Sequence, residues 1–90
     1  MSFEYLISKI QKNNFLLLGR AGIDIYPDPP GTKTEQATNF VSHLGGSSAN
    51  MGVELVKFGG SCSLLTRVSD DALGKLVLNQ LDLYGINKNL

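Results

Sequence analysis

Two adjacent glycines running into two serines, Gly45-Gly46-Ser47-Ser48-Ala49-Asn50, constrain this chain more than any other stretch. Paired glycines reach backbone conformations closed to other residues and let a neighbouring molecule approach where a Cβ would stand. Either serine can accept a hydrogen bond from a free backbone N–H and start a helix. Asn50 then falls in the first helical turn with a donor and an acceptor on one short side chain. Such a loop turns unpaired N–H groups and one polar head toward a polyol or an anion. Alone, the six residues favour a tight turn with an ordinary cap, so a functional meaning depends on what surrounds them.

The surroundings narrow the choice. Ninety residues make one small domain or a piece of a larger one. Eight basic and eight acidic residues cancel, and no block of like charge occurs, which argues against nucleic acid or an anionic membrane as the main partner. The single cysteine, Cys62, has no internal partner for a disulfide. Its place in an apolar run suits a buried, reduced thiol. The longest apolar run near the start, Phe15 to Leu18, is too short for a signal peptide or a membrane span. A cytoplasmic protein is expected.

Met1 to Asn14 reads as a helical or irregular lead-in. Phe15 to Leu18, closed by Gly19, has the continuous apolar character of a strand covered on both faces. Ala21, Ile23 and Ile25 alternate as a second extended piece, with Gly22 as a bend. Pro27, Pro29, Pro30 and Gly31 force a surface loop, and Phe40 to Leu44 forms another short strand. Residues 23–44 thus make a hairpin-like excursion from the main sheet. Ala49 to Phe58 is a helix whose polar residues Asn50, Glu54 and Lys57 share one stripe, so it should be largely buried. Gly52 within it costs about 1 kcal/mol relative to alanine, which implies close packing there. Ser61 to Val68 is a strand. Asp70 and Asp71 cap a final helix through Tyr84, with Leu73, Leu76, Val77, Leu81 and Tyr84 on one face. Gly85 follows as the left-handed residue, and Ile86 folds back near Leu81. The order strand, excursion, helix, strand, helix predicts an α/β architecture with a right-handed crossover.

Few residues could carry chemistry. One His, one Cys and scattered acids give no metal constellation. His43 reads as a strand side chain. No Gly-x4-Gly-Lys-Ser/Thr phosphate loop is present. Asp24, a few residues past the first strand, falls at the carboxyl edge of the sheet, where α/β folds bind ligands; it is otherwise a turn aspartate. Arg20 suits either a structural ion pair or an anionic substrate.

Three blocks in order then carry a resemblance: Gly19-Arg20-Ala21-Gly22-Ile23-Asp24, Gly45-Gly46-Ser47-Ser48-Ala49-Asn50 and Ser69-Asp70-Asp71-Ala72-Leu73-Gly74. Together they resemble the opening of a ribokinase-like (PfkB-type) carbohydrate kinase, over about residues 15–86. The run Gly19 to Tyr26 is closer to one branch, the 5-dehydro-2-deoxygluconokinases of myo-inositol catabolism, than to ribokinase or fructokinase. The resemblance implies an α/β/α sandwich with a small β lid, of which residues 1–90 are the N-terminal portion and about 23–44 the lid. It implies ATP-dependent phosphorylation of a sugar or sugar acid, with ATP and Mg2+ belonging to the complete enzyme and neither bound by this chain alone. It gives Asp24 the role of binding substrate hydroxyls, lines the same pocket with Gly45, Gly46 and Asn50, and leaves room for a homodimer through the lid. Arg20 would then meet the carboxylate of a sugar acid. Two departures stand out. Gly52 replaces the family's usual alanine, serine or threonine, and the catalytic Gly-Ala-Gly-Asp block is absent, as is the nucleotide-binding half. A 2-keto-3-deoxygluconate kinase, a fructokinase and a non-catalytic sugar-binding or interaction module remain as alternatives.

Overall fold

A computed structural model describes residues 2–88. Helix α1 (Phe3–Gln11) is capped by Ser2, whose hydroxyl accepts from the Tyr5 N–H at 3.1 Å. It buries none of its own residues and touches the body through an edge-on contact of Phe3 with Phe58, ring centres 6.3 Å apart. Strand β1 (Asn14–Leu18) pairs in parallel with β4 (Ser61–Leu65), Asn14 opposite Ser61 and Leu18 opposite Leu65. Two adjacent parallel strands need a long connection between them. Here it contains an antiparallel hairpin and a helix.

The hairpin is β2 (Gly22–Asp28) with β3 (Asn39–Gly45), in register from Gly22 opposite Gly45 to Asp28 opposite Asn39. Its far end is a loop with a 3-10 turn at Thr34–Gln36. Alternation sorts the side chains. Leu44 is buried and Ile23 packs against the core, whereas Asp24, Tyr26 and His43 share the opposite face. Pairing reaches Gly45, so the first glycine of the pair belongs to the strand and only Gly46 belongs to the turn.

Helix α2 (Ser47–Lys57) buries Ala49 and Gly52. A Cβ on Gly52 would stand 3.1 Å from Ile86 Cδ1 and 3.2 Å from Cys62 Sγ, which is the close packing that the glycine implied. Helix α3 (Ala72–Leu83) buries Gly74, Val77 and Leu81. It ends as the sequence predicts: Gly85 has φ 78°, its N–H donates to Asp82 O and that of Ile86 to Leu81 O, both at 3.0 Å. These are the two bonds of a Schellman cap, and they seat Ile86 in the core. Asn87 then bridges the second edge of β4, its N–H donating to Cys62 O at 2.8 Å while Leu64 N–H donates to Asn87 O at 2.9 Å. The core collects Leu44, Ala49, Cys62, Leu64, Val77, Leu81 and Ile86. Burial raises the pKa of the Cys62 thiol. Among the described residues no helix is long and apolar enough to cross a membrane.

Several expectations change. β1 alternates in burial instead of being covered on both faces. Leu17 packs inward, but Leu16 and Leu18 are 60% and 68% exposed, with no layer of described residues over them. α2 is less buried than its composition implied, with Met51 exposed and Phe58, just past its end, covered only in part by Phe3. β4 ends at Leu65 instead of Val68, since β1, its only paired strand, ends opposite at Leu18. On α3, Leu73 and Tyr84 point to solvent, so the buried stripe is narrower than five residues.

The whole has 6439 Å² of accessible surface, where a compact monomer of this mass has roughly 5,100 Å². Its radius of gyration is 15.5 Å, against about 12 Å for a compact domain of this length. The large radius reflects an elongated outline of 48 × 31 × 18 Å, and apolar side chains such as Leu16, Leu18 and Met51 lie on the exposed surface. The 90-residue chain in isolation should therefore bind an apolar dye, self-associate and melt without a sharp transition. A monomer unfolding cooperatively in a thermal scan would contradict this.

Candidate functional site

The sheet, the hairpin and α2 meet where β1 ends. From Leu18 the chain passes through Gly19, Arg20 and Ala21 into β2, and this link is tied to the start of α2. The Ser48 hydroxyl donates to Leu18 O at 3.3 Å, and the Ala49 N–H donates to Arg20 O at 3.4 Å. The serines therefore do not cap the helix. The N-cap is Gly46, without a side-chain cap bond, and Ser48 spends its hydroxyl on holding the β1 terminus.

Each glycine of the pair answers to a different neighbour. Gly46 has φ 96°, a left-handed backbone that disfavours any Cβ. A Cβ there would also run into Arg20 O and stand 3.0 Å from Ala21 Cα. Gly45 is not left-handed, but a Cβ on it would stand 2.5 Å from both carboxylate oxygens of Asp24. The Asp24 carboxylate thus lies over the Gly45 Cα.

Around this junction is a cavity of about 310 Å³ lined by Arg20, Ala21, Gly22, Ile23, Asp24 and Gly46. That is within the range of small-molecule sites, roughly 300–1,000 Å³. The structure therefore brings Arg20, Asp24 and Gly46 together. Gly45 is buried behind Asp24, and Asn50 is exposed in the first turn of α2, outside the cavity lining. Arg20 has no ion pair among the described residues. Two side chains that the sequence did not single out for the site stand beside Asp24. The Tyr26 hydroxyl donates to Asp24 Oδ2 at 3.5 Å, and the rings of Tyr26 and His43 meet edge to face, 5.6 Å apart. Alternation puts Tyr26 on the face of Asp24, but only the hairpin register, Asp24 opposite His43, brings in the histidine.

The third sequence block is structural. Asp71 caps α3, its Oδ1 accepting from Gly74 N–H at 2.8 Å and from Ser69 Oγ at 2.6 Å, and these bonds lower its pKa. Gly74 lies so close under Ser69 O that a Cβ would collide with it. A second cavity, about 230 Å³, lies between this turn and residues 21–23 and includes Arg67.

Fold and sequence now agree on a class. The model of the pfkB family of carbohydrate kinases matches residues 12–90, and the chain belongs to that family. It is 38% identical over 72 residues to a 5-dehydro-2-deoxygluconokinase of Photobacterium profundum, covering 80% of this chain and 22% of that protein. With the 5-dehydro-2-deoxygluconokinase of Clostridium beijerinckii it shares 33% identity over 85 residues, 93% of this chain and 25% of the relative. The crystal structure of a PfkB family carbohydrate kinase from Listeria grayi superposes with a TM-score of 0.78 at 24% identity, over 84% of this chain and 23% of that one. This chain thus spans about a quarter or less of the length of these relatives.

The two glycines should separate on substitution in the complete protein. Gly46→Ala strains the backbone by about 1–3 kcal/mol and displaces the Arg20–Ala21 link, so the melting temperature should fall. Gly45→Ala should leave melting nearly unchanged while pushing the Asp24 carboxylate aside. Equal melting losses in both variants would contradict the assignment.

Proposed function

We propose that the complete protein transfers the γ-phosphoryl group of ATP to a hydroxyl of a sugar acid, 5-dehydro-2-deoxy-D-gluconate, and that this chain holds the sugar. The observation that carries the reading is the gathering of Arg20, Asp24 and Gly46 around one cavity at the sheet–hairpin–helix junction. The names of the relatives support the substrate class. Asp24 accepts hydrogen bonds from sugar hydroxyls. Arg20 offers its planar donor fork to the sugar-acid carboxylate. Gly46 keeps the wall between them free of side chain. Orientation of this kind is much of what a protein contributes to phosphoryl transfer.

ATP with Mg2+ would supply the phosphoryl group and neutralise its charge. This chain spans about a quarter or less of the length of the relatives, and the ATP site, the Mg2+ and the catalytic base are assigned to the complete protein. The hairpin of β2 and β3 is the lid over the sugar, and its exposed Ile25 and Phe40 mark where a homodimer through the lid would form. A neutral ketose is the second reading, because a probable fructokinase of Arabidopsis thaliana shares 32% identity over 69 residues.

Asp24→Asn in the complete protein should lower kcat/KM on the order of 10- to 100-fold, as expected for lost charge-assisted hydrogen bonds. An unchanged value would remove Asp24 from the site. Steady-state rates of Arg20→Ala on a sugar acid and on a neutral ketose address the substrate. A selective loss on the acid supports the first reading, and equal losses on both assign Arg20 a structural role.

A further inference from the structure

The reading above gives Asp24 a task that depends on where its carboxylate points, and an exposed aspartate on a strand is free to turn. Here it is confined on two sides. The Gly45 Cα lies beneath both oxygens, and the Tyr26 hydroxyl reaches Oδ2. Oδ1 accepts no hydrogen bond among the described residues. The Tyr26 ring would itself be free to swing, since half of the residue is exposed. It is met by His43, which projects from β3 directly opposite Asp24 and takes the ring edge to face at 62°. Hairpin register places all three on one face.

We propose that Tyr26 is a positioning residue for the sugar, holding Oδ2 of Asp24 so that Oδ1 faces the substrate hydroxyls, with His43 fixing the Tyr26 ring. The inference rests on the assignment of Asp24 to sugar binding. At 3.5 Å the contact is at the outer limit of a hydrogen bond, so Tyr26 restrains the carboxylate instead of clamping it. Pre-orienting the carboxylate removes part of the ordering cost of binding. The hydroxyl therefore acts on substrate affinity more than on turnover, and an edge-to-face ring pair holds the donor in place.

The test is steady-state kinetics of the complete protein on 5-dehydro-2-deoxy-D-gluconate, with thermal melting alongside. Tyr26→Phe keeps the ring and its contact with His43 and removes only the donor. KM should rise about tenfold, the scale of one hydrogen bond to a charged group, with kcat and melting temperature close to wild type. His43→Ala, which frees the ring, should raise KM in the same direction. His43→Phe, which restores the ring pair, should return KM toward wild type. Wild-type KM in Tyr26→Phe, or a loss confined to kcat, would overturn the proposal while leaving Asp24 in the site. Failure of His43→Phe to rescue would overturn the part given to His43. A wild-type protein that phosphorylates neither this acid nor a neutral ketose would overturn the functional reading and this inference with it.

Discussion

The structure depends on the seating of Gly45 and Gly46 against the segment from Arg20 to Asp24. Three elements of different type converge there: the end of a parallel strand, the base of an antiparallel hairpin and the start of a helix. A side chain at either glycine would meet an obstacle, fixed backbone in one case and a movable side chain in the other. At Gly46 the obstacle would be the Arg20–Ala21 backbone, and at Gly45 it would be the Asp24 carboxylate. Ser48 and Ala49 then fasten the helix to the strand end with bonds to Leu18 O and Arg20 O. Close packing at the junction thus sets the Asp24 carboxylate beside a cavity.

That arrangement explains how a weak motif comes to border a candidate site. A double glycine before serines has a purely structural use, and most of its role here is structural. Its second effect is to leave Asp24 unobstructed, with Arg20 on the same cavity. The functional content lies in the pairing of the two segments, 20 to 24 with 45 and 46, more than in either alone. The Ser69–Gly74 block shows the contrast. It is equally ordered, but Asp71 is spent on capping α3 and Gly74 on clearing Ser69 O.

Elements with local causes were legible in the sequence. The Gly85 cap, the Asp71 cap, the close approach at Gly52 and two extended pieces within residues 21–44 all follow from residue chemistry over a few positions, although the expected loop began at Pro27, which the structure keeps in β2 opposite Phe40. What was not legible came from neighbours. The continuous apolar run at Phe15–Leu18 promised cover on both faces, but Leu16 and Leu18 meet no layer among the described residues. α2 has the composition of a buried helix, and Met51 remains exposed. Within the site, Asp24 and Arg20 could be named from their places after the first strand. The association of Tyr26 and His43 with Asp24 required the hairpin register, which the alternation of Ala21, Ile23 and Ile25 does not determine. Conversely Asn50, named from its place in the first turn of α2, stands outside the cavity lining.

A structure of the complete protein with a sugar acid bound tests the account most directly. The sugar should occupy the cavity at the junction, with a hydroxyl oxygen about 2.5–3.0 Å from an Asp24 carboxylate oxygen and the carboxylate still lying over Gly45. A sugar seated instead in the neighbouring cavity beside Arg67 and Ser69, with Asp24 turned to solvent, would contradict it.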